Sequence, residues 1–74
     1  MTTPKLTGRQ TEILWLVAQG CDTEEIAETL GIGIWTLRDH IRRLREKLGA
    51  KSMRDLPACA RAAGIALPAL DERA

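Results

Sequence analysis

The sequence predicts an all-α domain built from four helices. Its 74 residues suit one small domain. Hydrophobic residues make up 45% of the chain, yet it has two Trp and no Phe or Tyr. The apolar side chains are mainly Leu, Ile and Ala, and such a composition with few β-branched runs favours helices over strands. Glycines at Gly20, Gly31, Gly49 and Gly64 divide the chain into segments of helical length.

The first two helices have recognisable ends. The first is predicted to begin after Thr7, whose hydroxyl suits a helix N-cap, and to end at Gly20. The second is predicted to begin at Asp22, where Glu25 three residues later completes the pattern of a capping box. It ends at Gly31 after about two turns.

The third helix is predicted from Ile34 to Leu48, and the tight turn Gly31-Ile32-Gly33 joins it to the second. One narrow stripe of this helix is apolar at a spacing of three to four residues. Together with the apolar faces of the first two helices, this stripe predicts a buried core. The residues expected in the core are Leu14, Val17, Ile26, Leu30, Ile32, Leu37, Ile41, Leu44 and Leu48.

A fourth, Ala-rich helix is predicted after Ser52, where Asp55 stands at the spacing of a second capping box. We expect residues 1–5 to form a flexible N-terminus and residues 67–74 a frayed C-terminal tail. Residues 6–66 are then the folded domain.

Charge is distributed unevenly along the chain. The formal net charge is only +1. Residues 21–31 carry four acidic side chains and no basic one, whereas residues 32–51 carry six basic and two acidic ones. The positive charge therefore lies on the outward face and one flank of the third helix, where a polyanion would meet it.

The composition argues against an enzyme, a metal site and a membrane protein. The sequence shows no Gly-rich phosphate loop and no nucleophile beside a base, so we expect no catalytic residues and no cofactor. Cys21 and Cys59, with one His, are too few and too far apart for a metal site. No stretch reaches about 20 apolar residues and no signal peptide is recognisable. We therefore expect a cytoplasmic protein with no membrane contact and no small-molecule ligand.

A short helix, a tight glycine turn and a longer basic helix, together about residues 22–41, are typical of a helix-turn-helix, whose second helix enters the DNA major groove. The chain also carries LTGRQTEIL at its start, EIAETLGI in the second helix, TLRDH in the third, and KLGAKS one helix length on. In this order and spacing, the segments resemble the LuxR/GerE-type DNA-binding domain of bacterial transcription regulators. The resemblance implies a four-helix domain that binds DNA sequence-specifically as a transcription regulator, or as the output domain of one.

The resemblance also implies three groups of functional residues. Residues 34–48 form the recognition helix, and base edges are expected to be contacted by Arg38, Asp39 and Arg42. DNA backbone contacts are expected from Thr23, Trp35, Thr36, Arg43 and Lys47. The contact of a homodimer on a pseudo-palindromic site in double-stranded DNA is expected from Leu56, Cys59, Ala60 and Ala63. Where the family commonly has a lysine that touches phosphate, this chain has the run Asp22-Thr23-Glu24.

Three side chains keep two interpretations each. Asp39 either accepts a hydrogen bond from a cytosine amino group or orients Arg42 or Arg43. Trp35 either packs on DNA or covers the glycine turn. Trp15 is either an exposed edge of the core or a contact for a further domain.

The acidic second helix and the near-neutral net charge support an alternative function. In this alternative the chain is a small protein-interaction module that pairs with a partner regulator of the same family and antagonises it. The basic face of the third helix instead favours a domain that binds DNA.

Overall fold

The computed structural model describes residues 5–67 of the chain. Within this range all regular structure is helical, so the fold is all-α with four helices. The elements are α1 (Gly8–Ala18), α2 (Thr23–Leu30), α3 (Ile34–Leu48), a short 3₁₀ turn (Met53–Asp55) and α4 (Leu56–Ala62).

The two terminal expectations concern residues that the structure leaves undescribed. The flexible start at 1–5 and the frayed tail at 67–74 fall, apart from Lys5 and Leu67, outside the described residues. Between these two residues, no helix combines the length and the apolar character that crossing a lipid bilayer requires.

Capping side chains determine where α1 and α2 begin. Thr7 Oγ1 accepts a hydrogen bond from the Gln10 amide at 3.1 Å, and Gln10 Oε1 accepts one from the Thr7 amide at 3.1 Å. Asp22 and Glu25 form the same reciprocal pair, at 2.8 and 2.9 Å. Each pair satisfies amides that the first turn of a helix leaves without partners. The N-cap at Thr7 and the capping box at Asp22 are therefore confirmed.

The predicted capping box at Ser52 is wrong. The Asp55 amide donates to the Ser52 carbonyl oxygen at 3.1 Å and so closes a 3₁₀ turn. The Ser52 hydroxyl donates to the Asp55 carboxylate at 3.3 Å instead of accepting from an amide. Because this turn comes first, α4 begins only at Leu56, with Pro57 in its first turn. A proline there sacrifices no helical hydrogen bond.

The core lies where α3 packs against the other three helices. Leu37 and Leu44 of α3 are fully buried, and they face Ile26 of α2, Leu14 of α1 and Leu56 of α4 in one cluster. Burial of branched aliphatic side chains is the main favourable contribution to the stability of so small a domain. The predicted stripe on α3 is therefore its core face, which leaves the other side of the helix free.

The predicted core differs from the observed one at its edge. Leu30, Ile32 and Leu48 are only half-buried against the core. The core cluster also includes five apolar residues that are absent from the sequence-based list. Two of them lie on α4, which packs on both α1 and α3. The five are Ile13, Ala27, Ala50, Leu56 and Ala60.

Two glycines in the turn between α2 and α3 have different backbone requirements. Gly31 ends α2 in the left-handed region with φ +67°. Gly33 is the N-cap of α3 at φ −71° and ψ 154°, angles that any residue adopts, and no side chain caps the helix. A β-carbon added to either glycine would find no other atom within 4 Å. Steric room is thus equal at the two positions, and only the backbone conformation differs.

A serine at each of these positions should change stability in opposite directions. Gly33→Ser should raise the free energy of unfolding by about 0.5–1 kcal/mol, since serine is a better N-cap and restricts the unfolded chain. Gly31→Ser should lower it by about 1–2 kcal/mol, since an L-residue is strained at positive φ. Urea unfolding followed by circular dichroism measures both. A loss of stability in Gly33→Ser would show that the start of α3 cannot accept a side-chain cap.

Candidate nucleic-acid interface

Helix α3 has a buried face and an exposed basic face. Leu37, Ile41 and Leu44 lie in the core, at the three- to four-residue spacing of one helical stripe. The opposite side exposes the guanidinium groups of Arg38 and Arg42, along with other polar side chains. The leucines therefore fix the rotation of α3, and this rotation directs the arginines into solvent.

Trp35 lies at the start of α3 and is 76% exposed. Its ring lies beneath the guanidinium carbon of Arg38, which is 5.1 Å from the ring centroid, a cation–π geometry. A β-carbon added to Gly33 would meet no atom of the indole within 4 Å. The ring is thus largely exposed, and its contact with DNA stays a prediction.

Asp39 joins two arginines on the exposed face. Its Oδ1 is 2.8 Å from Nη2 of Arg42, and its Oδ2 is 3.1 Å from Nε of Arg43. The hydrogen bond from Arg42 and the charge of Arg43 keep the pKa of the Asp39 carboxyl below its usual value. The same hydrogen bond raises the pKa of Arg42. Asp39 is therefore a carboxylate at neutral pH, and in the free domain it orients both arginines.

An open groove of about 310 Å³ lies between the start of α2, the exposed face of α3 and the 3₁₀ turn. Thr23 lines it from α2, opposite Arg38, Arg42 and Arg45 of α3. Ile41 and Met53 complete the lining, so the groove combines three arginines and a threonine with an apolar floor. The structure brings the predicted backbone contact at Thr23 next to two of the predicted base contacts.

Arg45 is a member of this groove that the sequence-based site lacks. A helical projection places it only at the edge of the basic face, but the groove is completed by the 3₁₀ turn. Its Nη2 donates to the Lys51 carbonyl oxygen at 2.6 Å, which ties the end of α3 to the following loop. Its Nε is buried and has no hydrogen-bond partner within the described residues.

Lys47 is exposed, but its ammonium group is directed toward the start of α1. Nζ donates to the Lys5 carbonyl oxygen at 2.8 Å and to Gln10 Oε1 at 3.0 Å. An ammonium has three N–H donors, so one donor remains for a phosphate oxygen. Lys47 thus links α3 to α1 on the flank of the exposed face.

A family model described as bacterial regulatory proteins, luxR family, matches residues 4–60. The chain belongs to the luxR family of bacterial regulatory proteins. Three curated relatives illustrate the similarity. The transcriptional regulatory protein DesR of Bacillus subtilis is 47% identical over 47 residues, which cover 64% of this chain and 24% of DesR.

The HTH-type transcriptional activator RamA of Corynebacterium glutamicum is 39% identical over 66 residues, covering 89% of this chain and 23% of RamA. The transcriptional regulatory protein MctR of Rhizobium johnstonii is 48% identical over 44 residues, covering 60% of this chain and 21% of MctR. The chain therefore spans about a quarter of the length of these relatives or less. None of the solved structures matches it.

The luxR-family domain does not expose all of the residues predicted for its dimer contact. Leu56 and Ala60 are each 0% exposed, because this side of α4 packs into the core. They cannot contact a second chain, so this part of the prediction is wrong. Cys59 and Ala63 are half-buried, and only these two of the four can reach a partner.

The acidic residues of α2 and the side chain of Trp15 also lie at the surface of the luxR-family domain. Glu24 and Glu28 are exposed on α2, so the acidic charge predicted for that helix lies at the surface.

Trp15 is 45% exposed and lines an open groove of about 430 Å³ between α1 and α2, with Leu16 and Leu30. Both interpretations of Trp15, an exposed edge of the core and a contact for a further domain, stay predictions.

Proposed function

We propose that this luxR-family domain binds a specific site in double-stranded DNA and regulates transcription, with α3 inserted in the major groove. The main support is the exposed face of α3, where Arg38 and Arg42 project opposite the side of the helix that packs in the core. An α-helix fits the major groove, and arginine is the commonest side chain to contact guanine there. DesR, RamA and MctR, named as transcriptional regulators or activators, support a role in transcription.

The proposed contacts divide into two kinds. Arg38, Asp39 and Arg42 are the residues proposed at base edges, and Asp39 lies there in an ion pair with Arg42. Around them is a set of residues proposed to contact sugar and phosphate, which fix the position of a protein on DNA without conveying sequence. This set is Thr23, Trp35, Thr36, Arg43 and Lys47.

The proposed assembly is a homodimer on a pseudo-palindromic site. One small domain buries a limited area on DNA, so two copies on half-sites spaced by about one helical turn, or multiples of it, would bind more tightly. Cys59 and Ala63 of α4 are the candidates that remain exposed enough for the contact between the two copies. The dimer surface must include further exposed residues beside them.

Titration of a labelled duplex carrying two half-sites, selected from a random library, tests this proposal. Fluorescence anisotropy over a range of salt concentrations should show binding that weakens steeply with salt, because phosphate contacts release counterions. Arg42→Glu should abolish binding at concentrations that saturate the parent domain. Two copies should be bound per duplex at saturation.

Arg61→Glu is the matched control, since Arg61 is also an exposed arginine but lies on α4, on the side of that helix opposite Cys59 and Ala63. It makes the same charge change away from α3 and should retain most of the affinity. Equal losses in the two variants would indicate a general charge effect. If the parent domain binds no duplex at any salt concentration, the proposal is overturned and the interaction-module hypothesis becomes the better one.

At the acidic start of α2, a charge reversal should increase the affinity for DNA, whereas Arg42→Glu should abolish binding. Glu24 is exposed and follows Thr23, the residue of α2 that is proposed to contact the DNA backbone. Glu24→Lys should raise affinity for every duplex and steepen the slope of log K against log salt by about 0.9, the contribution of one phosphate contact. It should cost about 0.3–1 kcal/mol of stability, because a cation at a helix N-terminus opposes the helix dipole.

Glu28→Lys provides the comparison for Glu24→Lys. Glu28 is exposed on the same helix but one turn further from the groove. The same charge reversal there should change the salt slope less. An unchanged slope in a Glu24→Lys protein that still binds DNA would place α2 beyond reach of the phosphates.

A further inference from the structure

Asp39 is an acidic residue beside Arg42 and Arg43 on the face proposed to meet DNA, and a negative charge at this position needs a physical reason. A carboxylate directed at a duplex is repelled by the phosphates, so alone it would weaken binding to every sequence. It is not alone, because each of its oxygens forms an ion pair with an arginine, at 2.8 Å to Arg42 and 3.1 Å to Arg43. The three side chains together carry one net positive charge.

The pairing leaves Arg42 able to contact a base. A guanidinium has five N–H donors in a fixed plane, and the bond from Nη2 to Asp39 Oδ1 uses one of them. The remaining donors are enough for the bidentate contact with O6 and N7 of guanine. Because Asp39 already restrains the guanidinium, less side-chain entropy is lost when that contact forms.

The pairing has the opposite effect on contacts that carry no sequence information. While the Arg43 guanidinium is held in an ion pair with Asp39, part of its positive charge is neutralised and less of it is available to a phosphate oxygen. Asp39 therefore weakens attraction to DNA in general. It strengthens the contact between Arg42 and guanine, because that contact requires a guanidinium held in a fixed orientation.

We propose that Asp39 is a positioning residue for Arg42, and that the two act as one unit that makes the half-site depend on a guanine beneath Arg42. This inference rests on the proposed function, and it adds the base that the site requires. Asp39 does not itself need to touch the base. Its removal should increase affinity for DNA while reducing selectivity.

Selection of bound duplexes from a random library, followed by sequencing, tests the inference with four proteins. The parent should select a half-site with a strongly preferred guanine, and Arg42→Ala should lose the preference at that position. Asp39→Asn, which keeps the shape of the side chain, should reduce the same preference by about fivefold or more. Its affinity for a random duplex should rise and its salt slope steepen, a combination that damage to the fold would not produce.

Glu46→Gln is the fourth protein and the charge-matched control. Glu46 is an exposed carboxylate on α3, one turn after Arg42, whose charge also raises the pKa of Arg42 but which accepts no hydrogen bond from it. Its neutralisation should raise affinity for random DNA without altering the guanine preference.

Three results would overturn the inference while leaving DNA binding intact. Asp39→Asn could keep the full guanine preference, it could lose preference at a different position from Arg42→Ala, or Arg42→Ala could leave every position unchanged. Failure of the parent domain to bind any duplex would instead overturn the proposed function itself.

Discussion

Replacing Leu37 by alanine is expected to lower the free energy of unfolding by about 2–5 kcal/mol. Leu37 is fully buried in α3 and packs in the cluster that joins all four helices. The substitution removes apolar contacts and leaves a cavity that so small a core cannot fill completely. Since 1 kcal/mol shifts Tm by about 4–8 °C in a domain of this size, Tm should fall by at least about 8 °C.

Leu48→Ala is the matched comparison for Leu37→Ala. Leu48 lies on the same stripe of the same helix, but it is only half-buried at the edge of the core. Its truncation should therefore cost clearly less stability. Thermal and urea unfolding of the two variants and the parent would settle this, and a Leu37→Ala protein that melts at the parent temperature would show that the stripe is not the core.

The second large effect is expected on DNA affinity. Arg38→Ala and Arg42→Ala should each raise Kd for the selected duplex by roughly 5- to 150-fold, because each removes a contact to a base edge. Binding to a random duplex should weaken much less. Arg38→Ala also removes the cation above the Trp35 ring, so its effect includes a change in the first turn of α3.

Lys47→Ala is the comparison for contacts to the DNA backbone. Its loss should weaken binding to selected and random duplexes by similar factors and reduce the salt slope by about 0.9. Because Nζ of Lys47 also donates to Gln10, thermal unfolding must accompany the affinity measurement. If Arg38→Ala and Arg42→Ala affect the two duplexes equally as well, both arginines contact the backbone rather than bases.

Helix ends were predictable where the signal lies within a few residues. The Asp22–Glu25 pair and the Thr7 hydroxyl cap helices through contacts three positions apart, so the sequence contains both partners side by side. Gly31 and Gly49 end α2 and α3 at positive φ, a conformation that glycine accepts readily. The orientation of α3 followed equally directly from its apolar period.

Contacts between distant parts of the chain could not be predicted in this way. Lys47 reaches Gln10 across 37 positions, and no local pattern marks that pair. Leu56 and Ala60 were predicted at a dimer surface because α4 alone does not reveal which of its faces meets α1 and α3. Arg45 was omitted from the site for the same reason, since the groove it lines exists only once the 3₁₀ turn packs beside α3.

The position of Trp35 gives the domain an optical reporter of its own. The chain has no tyrosine, so its near-ultraviolet emission comes from Trp15 and Trp35 alone. In a Trp15→Phe variant, all remaining emission would arise from the first turn of α3, on the face proposed to meet DNA. An exposed indole changes its emission when a base or sugar displaces the surrounding water. DNA binding at that face could then be followed through the intrinsic tryptophan fluorescence of the unlabelled protein.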